Sequence, residues 1–127
     1  MIVIDYSDKR PIYEQIVERF RMLILNGILT ADEKLPSVRS LAVELSINPN
    51  TIQRAYAELE RRGFVYSVKG RGNFVCGDRS VVEQEKEKML LALKEQVKVY
   101  KEVGITFSEI EKSMREVYKE EQKRDRD

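Results

Sequence analysis

The four residues Ser46-Ile47-Asn48-Pro49 constrain this chain more than any other stretch. Proline lacks a backbone N–H and has a fixed φ. It therefore fits the first position of a helix, where that N–H has no intrahelical acceptor, and disrupts a helix anywhere later. Asparagine directly before it can accept from the amides that the first turn leaves orphaned. A helix thus begins sharply at Pro49. Ile52, Ala55, Tyr56 and Leu59 form its apolar face, and Arg62-Gly63 ends it. On the near side of the junction, Leu35-Pro36-Ser37 supplies an extended pair and a serine N-cap. A short helix over 38–45 follows, with Val38, Leu41, Ala42 and Leu45 on one face.

Two helices joined so tightly need a third element to cover their apolar faces. Ile12, Ile16, Phe20, Leu23 and Ile24 provide it at helical spacing over about 11–26, opened by Pro11 and closed by Gly27. After the Pro49 helix, Phe64-Val65-Tyr66-Ser67-Val68 and Asn73-Phe74-Val75-Cys76 read as strands joined by the basic, glycine-bearing turn Lys69-Gly70-Arg71-Gly72. Three helices and a hairpin in this order describe a winged helix-turn-helix, in which the third helix can enter the major groove. From Asp78-Arg79 onward the composition shifts to helix formers. One helix over Val82–Val103 is interrupted at Gly104. A second starts at Thr106, which has the capping-box spacing to Glu109, and Glu121 to Asp127 reads as frayed. The expected fold is mainly α with a small β-hairpin: a winged helix-turn-helix domain over 1–78, then a C-terminal two-helix dimerisation segment over 79–127.

Several function classes are excluded or disfavoured. Cys76 is the single cysteine and there is no histidine, so no internal disulfide can form and the usual base for a cysteine nucleophile is missing. Cys76 is expected as a buried apolar residue. No metal-ligand spacing is present, and no catalytic residue or cofactor is nominated. No apolar run is long enough to span a bilayer, which reads as a cytoplasmic protein without a membrane partner. The net charge of +1 conceals an uneven distribution. Lys34 to Val75 carries seven basic residues against three acidic, whereas Arg79 to Asp127 is balanced at twelve each.

The start of the third helix carries the functional signal. Asn48, Asn50, Thr51 and Gln53 bear groups that both donate to and accept from base edges, and Arg54 can reach guanine or phosphate. Arg39 on the second helix and Lys69 and Arg71 on the hairpin tip flank it in chain order and would neutralise phosphates. Gly70 and Gly72 allow close backbone approach. Taken singly, each feature has a plainer reading. Asn48 and Thr51 can be simple caps, the glycine turn an ordinary hairpin loop, and Arg61-Arg62 an answer to a helix dipole.

Three separated motifs raise the DNA reading above these: Leu35-Pro36-Ser37-Val38-Arg39-Ser40-Leu41-Ala42, Asn48-Pro49-Asn50-Thr51-Ile52-Gln53-Arg54-Ala55-Tyr56, and Lys69-Gly70-Arg71-Gly72-Asn73-Phe74-Val75. Together they resemble the GntR winged-helix signature over about residues 9–76. Pro11-Ile12-Tyr13-Glu14-Gln15-Ile16 and the Asn-Pro-Asn-Thr helix start resemble its YtrA-like subgroup, whose members add only a short two-helix tail. The resemblance implies a homodimeric repressor on a palindromic double-stranded operator, with DNA contacts at Arg39, Asn48, Asn50, Thr51, Gln53, Arg54, Lys69, Gly70 and Arg71. It also implies a transporter operon as target. The effector stays unknown, and any pocket for one would form between chains. The sequence departs from the pattern twice: Ala31-Asp32 replaces a usual Pro-Gly, and Ser46 stands at a usual glycine.

The tail has broad apolar stripes and no core of its own, so Leu90, Leu93, Val97, Tyr100, Phe107, Ile110 and Met114 are expected to line a dimer interface. Packing of the long helix on helix one of its own chain is the other possibility. A winged-helix module that docks on protein is the alternative function. It would carry apolar residues where this chain has Asn50, Thr51, Gln53 and Arg54.

Overall fold

The computed structural model describes residues 2–126, with side-chain surroundings for residues 2–120. Its elements are α1 (Ile12–Leu25), α2 (Val38–Leu45), α3 (Pro49–Arg61), β1 (Val65–Val68), β2 (Gly72–Val75), α4 (Arg79–Glu102) and α5 (Phe107–Arg126). The backbone divides into two compact units, Met1–Lys86 and Glu87–Asp127, with the division falling inside α4. Among the described residues no helix is long and apolar enough to cross a membrane.

In the first unit, α1, α2 and α3 enclose one core. Ile16, Phe20 and Leu23 of α1 meet Leu41 of α2 and Ile52, Tyr56 and Leu59 of α3, and Phe64, Val65 and Val75 close it from the hairpin side. The rings of Phe20 and Tyr56 meet edge to face at 5.6 Å. Chain entry is fixed by Gln15, a buried polar residue in this core. Its amide oxygen accepts from the Asp5 N–H at 3.0 Å, while its amide nitrogen donates to the carbonyls of Asp5 (3.1 Å) and Arg10 (3.4 Å). These bonds satisfy a side chain that would otherwise be costly to bury.

The hairpin pairs Val65 with Val75 and Val68 with Gly72 in antiparallel register. A third extended segment, missed in the sequence, runs beside β2. The Asp32 N–H donates to the Val75 carbonyl (2.9 Å), the Val75 N–H to Glu33 (2.8 Å) and the Leu35 N–H to Asn73 (2.9 Å). Asp32 takes up a left-handed φ of 64° at the position where the family pattern has glycine. It is held there because its carboxylate accepts from the Tyr66 hydroxyl at 2.8 Å. Ser46 is also left-handed, at φ 54° and ψ 46°.

Two expectations need correction. Cys76 is half-exposed, not buried. Side chains alternate along a strand, so burying Val75 turns Cys76 outward. The long helix starts at Arg79, three residues before Val82, because Asp78 caps it: the Asp78 carboxylate accepts from the Ser80 N–H at 2.9 Å, which holds that carboxyl below its ordinary range. Val81 and Val82 in its first turn pack against the core of the first unit.

In the second unit, α4 ends at a left-handed Gly104 and α5 begins with the reciprocal bonds of a capping box. The Thr106 hydroxyl accepts from the Glu109 N–H (3.2 Å), and the Glu109 carboxylate accepts in return from the Thr106 N–H (3.4 Å). No residue of α4 is buried. The expected fraying from Glu121 concerns residues whose side chains lie outside the described set.

Candidate nucleic-acid interface

The α2–α3 junction is built from local bonds. The Ser37 hydroxyl accepts from the Ser40 N–H at 3.0 Å and starts α2. The Asn48 carboxamide accepts from the Asn50 N–H at 2.8 Å, with Pro49 at the first position of α3. Between them, Ser46 and Ile47 turn back their N–H groups onto Val43 (3.2 Å) and Ala42 (3.0 Å). The buried Tyr56 hydroxyl donates to the Pro36 carbonyl at 2.7 Å and ties the entrance of α2 to the middle of α3. Burial, with a contribution from the Glu44 charge, pushes this phenol well above its usual pKa, so it stays a donor.

Within this frame Asn50, Gln53 and Arg54 are exposed and Thr51 is half-exposed. Asn48 is a cap, and its side-chain oxygen is already occupied by the backbone. Arg39 lies exposed in the first turn of α2. Among the described residues Arg39, Asn50 and Gln53 have no side-chain partner within the chain. Arg54 does have one: its guanidinium sits over the Tyr13 ring of α1, 3.8 Å from the centroid. Tyr13 belongs to the Pro11–Ile16 stretch that carries the resemblance, but nothing in the sequence pairs it with Arg54, because the two residues are far apart in the chain.

The hairpin is tied to α3 one pair below its turn, where the Ser67 hydroxyl of β1 donates to the Glu60 carboxylate at 2.7 Å. At its tip the Arg71 N–H closes a turn onto the Val68 carbonyl (2.9 Å), with Gly70 at φ 79° in the position that demands it. Lys69 and Arg71 are exposed and unpartnered among the described residues. Lys34, on the extended segment bridged to Phe74, adds a cation beside the wing that the sequence did not nominate. Its Cε lies 3.2 Å from where a side chain at Gly72 would begin. The cations at the other end of α3 differ. Glu58 accepts from both Arg61 and Arg62, the latter at 2.8 Å, and the two guanidiniums hold its carboxyl at about 2.

The expected interface residues of the tail occupy open positions. Leu90 is 60% exposed, Leu93 43%, Tyr100 36%, Phe107 77% and Met114 38%, while Val97 and Ile110 are half-buried. Val97, Phe107 and Ile110 line one shallow apolar hollow beside Gly104.

Residues 12–75 match the family described as bacterial regulatory proteins, gntR family. The chain is 42% identical to the HTH-type transcriptional repressor YtrA of Bacillus subtilis (strain 168) over 98 residues, which is 77% of this chain and 74% of that protein. Among solved structures, a GntR family transcriptional regulator from Listeria monocytogenes superposes with a TM-score of 0.74 at 38% identity. That match covers 87% of this chain and 98% of that one. AraR(DBD) in complex with operator ORE1 superposes with a TM-score of 0.52 at 29% identity, over 60% of this chain and 93% of that one. A capped, polar α3 start flanked by exposed cations agrees with what these likenesses indicate: the chain belongs to the GntR family and is a DNA-binding transcription regulator, not an enzyme.

Proposed function

We propose that this chain is a cytoplasmic, homodimeric repressor that binds a palindromic operator. Residues 1–78 are the DNA-binding part and residues 79–127 the dimerisation tail. The first turns of α3 enter the major groove, where Asn50, Thr51 and Gln53 read base edges and Arg54 meets the backbone. Arg39 and the wing residues Lys69, Gly70 and Arg71 contact phosphates to either side. Asn48 contributes mainly by holding the helix start in shape. The observation that carries this reading is that, among the described residues, Arg39, Lys69 and Arg71 have no internal partner around a polar, uncharged helix start. Cations left open in this way release counterions on meeting phosphate.

Dimerisation rests on the stripe of Leu90, Leu93, Val97, Tyr100, Phe107, Ile110 and Met114. Burying each large side chain fully is worth about 1.5–3 kcal/mol, and a second copy would also match the symmetry of the operator. The regulated genes implied by the family likeness are those of a transporter.

Selection of bound sequences from random DNA supplies the operator, and anisotropy across a salt series then tests the map. Arg39→Ala and Arg71→Ala weaken binding to all sequences and each lower the salt slope by about 1, whereas Gln53→Ala also relaxes base preference. Wild-type binding by all three variants refutes the assignment. Sedimentation of Leu93→Asp tests the tail, and an unchanged dimer removes this stripe from the interface.

A further inference from the structure

We infer that Tyr13 is a positioning residue for DNA binding: its ring holds the Arg54 guanidinium by one face and leaves the in-plane N–H donors free for a DNA phosphate. This inference rests on the placement of Arg54 in the interface proposed above. A guanidinium stacked on an aromatic ring uses its π-face, not its hydrogen-bonding edge. At 3.8 Å from the ring centroid, Arg54 is restrained with no carboxylate partner among the described residues. In this it contrasts with Arg61 and Arg62 on the same helix, whose edges are taken up by Glu58.

The contact is not needed to join the two helices. Ile16 and Phe20 already meet Ile52 and Tyr56 in a closed core, while Arg54 stays exposed outside it. Its consequence is order. An exposed arginine loses several rotatable bonds when it grips a phosphate, and a side chain already restrained in the free protein loses less. The tyrosine hydroxyl adds little, since its acceptor is Glu14 of the next residue at 3.4 Å. The ring is therefore the working part.

The test uses the full chain and the selected operator, with thermal melts recorded for every variant. Tyr13→Phe retains wild-type affinity. Tyr13→Leu, which keeps apolar bulk but removes the ring, weakens binding by about threefold, the scale of the ordering cost of one immobilised side chain. Arg54→Ala weakens binding further and lowers the salt slope by about 1. In the Arg54→Ala background, Tyr13→Leu costs nothing more. An equal loss from Tyr13→Leu in both backgrounds, or no loss in either, overturns the positioning role and leaves the DNA map standing. An Arg54→Ala chain that binds as wild type, while Arg39→Ala does not, overturns both the role and the placement of Arg54 at the interface.

Discussion

Ser46 gives a measure of what the helix-turn-helix junction costs. Three helices of this chain close by the same pair of bonds. After α3, the Phe64 N–H reaches Leu59 (2.9 Å) and Gly63 reaches Glu60 (3.0 Å). After α4, Ile105 reaches Tyr100 (3.0 Å) and Gly104 reaches Lys101 (3.1 Å). After α2, Ile47 reaches Ala42 (3.0 Å) and Ser46 reaches Val43 (3.2 Å). This geometry needs a left-handed residue at its turn. Gly63 (φ 85°) and Gly104 (φ 86°) adopt it freely, whereas Ser46 (φ 54°) has a Cβ that meets the following carbonyl.

Substituting Ser46→Gly therefore removes about 1 kcal/mol of native-state strain. The greater freedom of glycine in the unfolded chain takes back about 0.5 kcal/mol. No compensating bond is lost, because the Ser46 hydroxyl has no partner among the described residues. The net gain of about 0.5 kcal/mol corresponds to a Tm rise of about 2–4 °C for a unit of this size, read by far-UV circular dichroism. The turn keeps its bonds, so operator affinity does not change. Gly63→Ser places the same strain at the matching turn and lowers Tm by a similar amount. If Ser46→Gly lowers Tm while Gly63→Ser also lowers it, backbone strain is not what distinguishes Ser46 and the reasoning fails.

Two further expectations concern the ends of the winged unit. Gln15→Leu leaves the backbone groups of Asp5 and Arg10 without their partner and costs about 1–3 kcal/mol in denaturant unfolding; unaltered exchange of the Asp5 amide would show that Gln15 does not hold the N-terminal segment. The hydrogen bonds from Arg61 and Arg62 depress the Glu58 pKa from 4.5 to about 2, so their contribution is present above pH 4.5 and fades as pH falls toward 2. The pair is exposed, so the effect on stability is small, and the decisive measurement is the NMR titration of the Glu58 carboxyl. Its midpoint lies near 2 and returns toward 4.5 in Arg61→Ala/Arg62→Ala, whereas a wild-type midpoint near 4.5 contradicts the pairing.

The parts of the fold legible in the sequence are those encoded at short offsets. Asn48 and Pro49, Ser37 with Ser40, and Thr106 with Glu109 each specify a helix start through residues at most three apart, and each start is found where its cap stands. What stayed hidden depends on residues far apart in the chain. A left-handed Asp32 needs Tyr66, the extended 32–35 segment needs β2, and the restraint on Arg54 needs Tyr13. The start of α4 was misplaced for a different reason. An apolar stripe marks where a helix is covered, whereas the cap at Asp78 marks where it begins.

The same distinction between sequence and space bears on charge. Seven basic residues lie between Lys34 and Val75, but a count cannot say which of them a phosphate would meet. Folding sorts them. Arg61 and Arg62 share the single carboxylate of Glu58, Arg54 is stacked on a ring, and among the described residues Lys34, Arg39, Lys69 and Arg71 keep open ammonium or guanidinium groups. The three acids of the segment offset only part of this charge: Glu58 is shared between Arg61 and Arg62, and Glu44 and Glu60 still leave the cations in excess. A protein of net charge +1 can thus present a local excess of open cations on the elements that flank one helix start. Long-range attraction follows that local field and not the total. Because the open cations belong to the extended segment, α2 and the hairpin, and not to the amide-bearing turn itself, affinity and base preference reside in separate side chains and are separable by substitution.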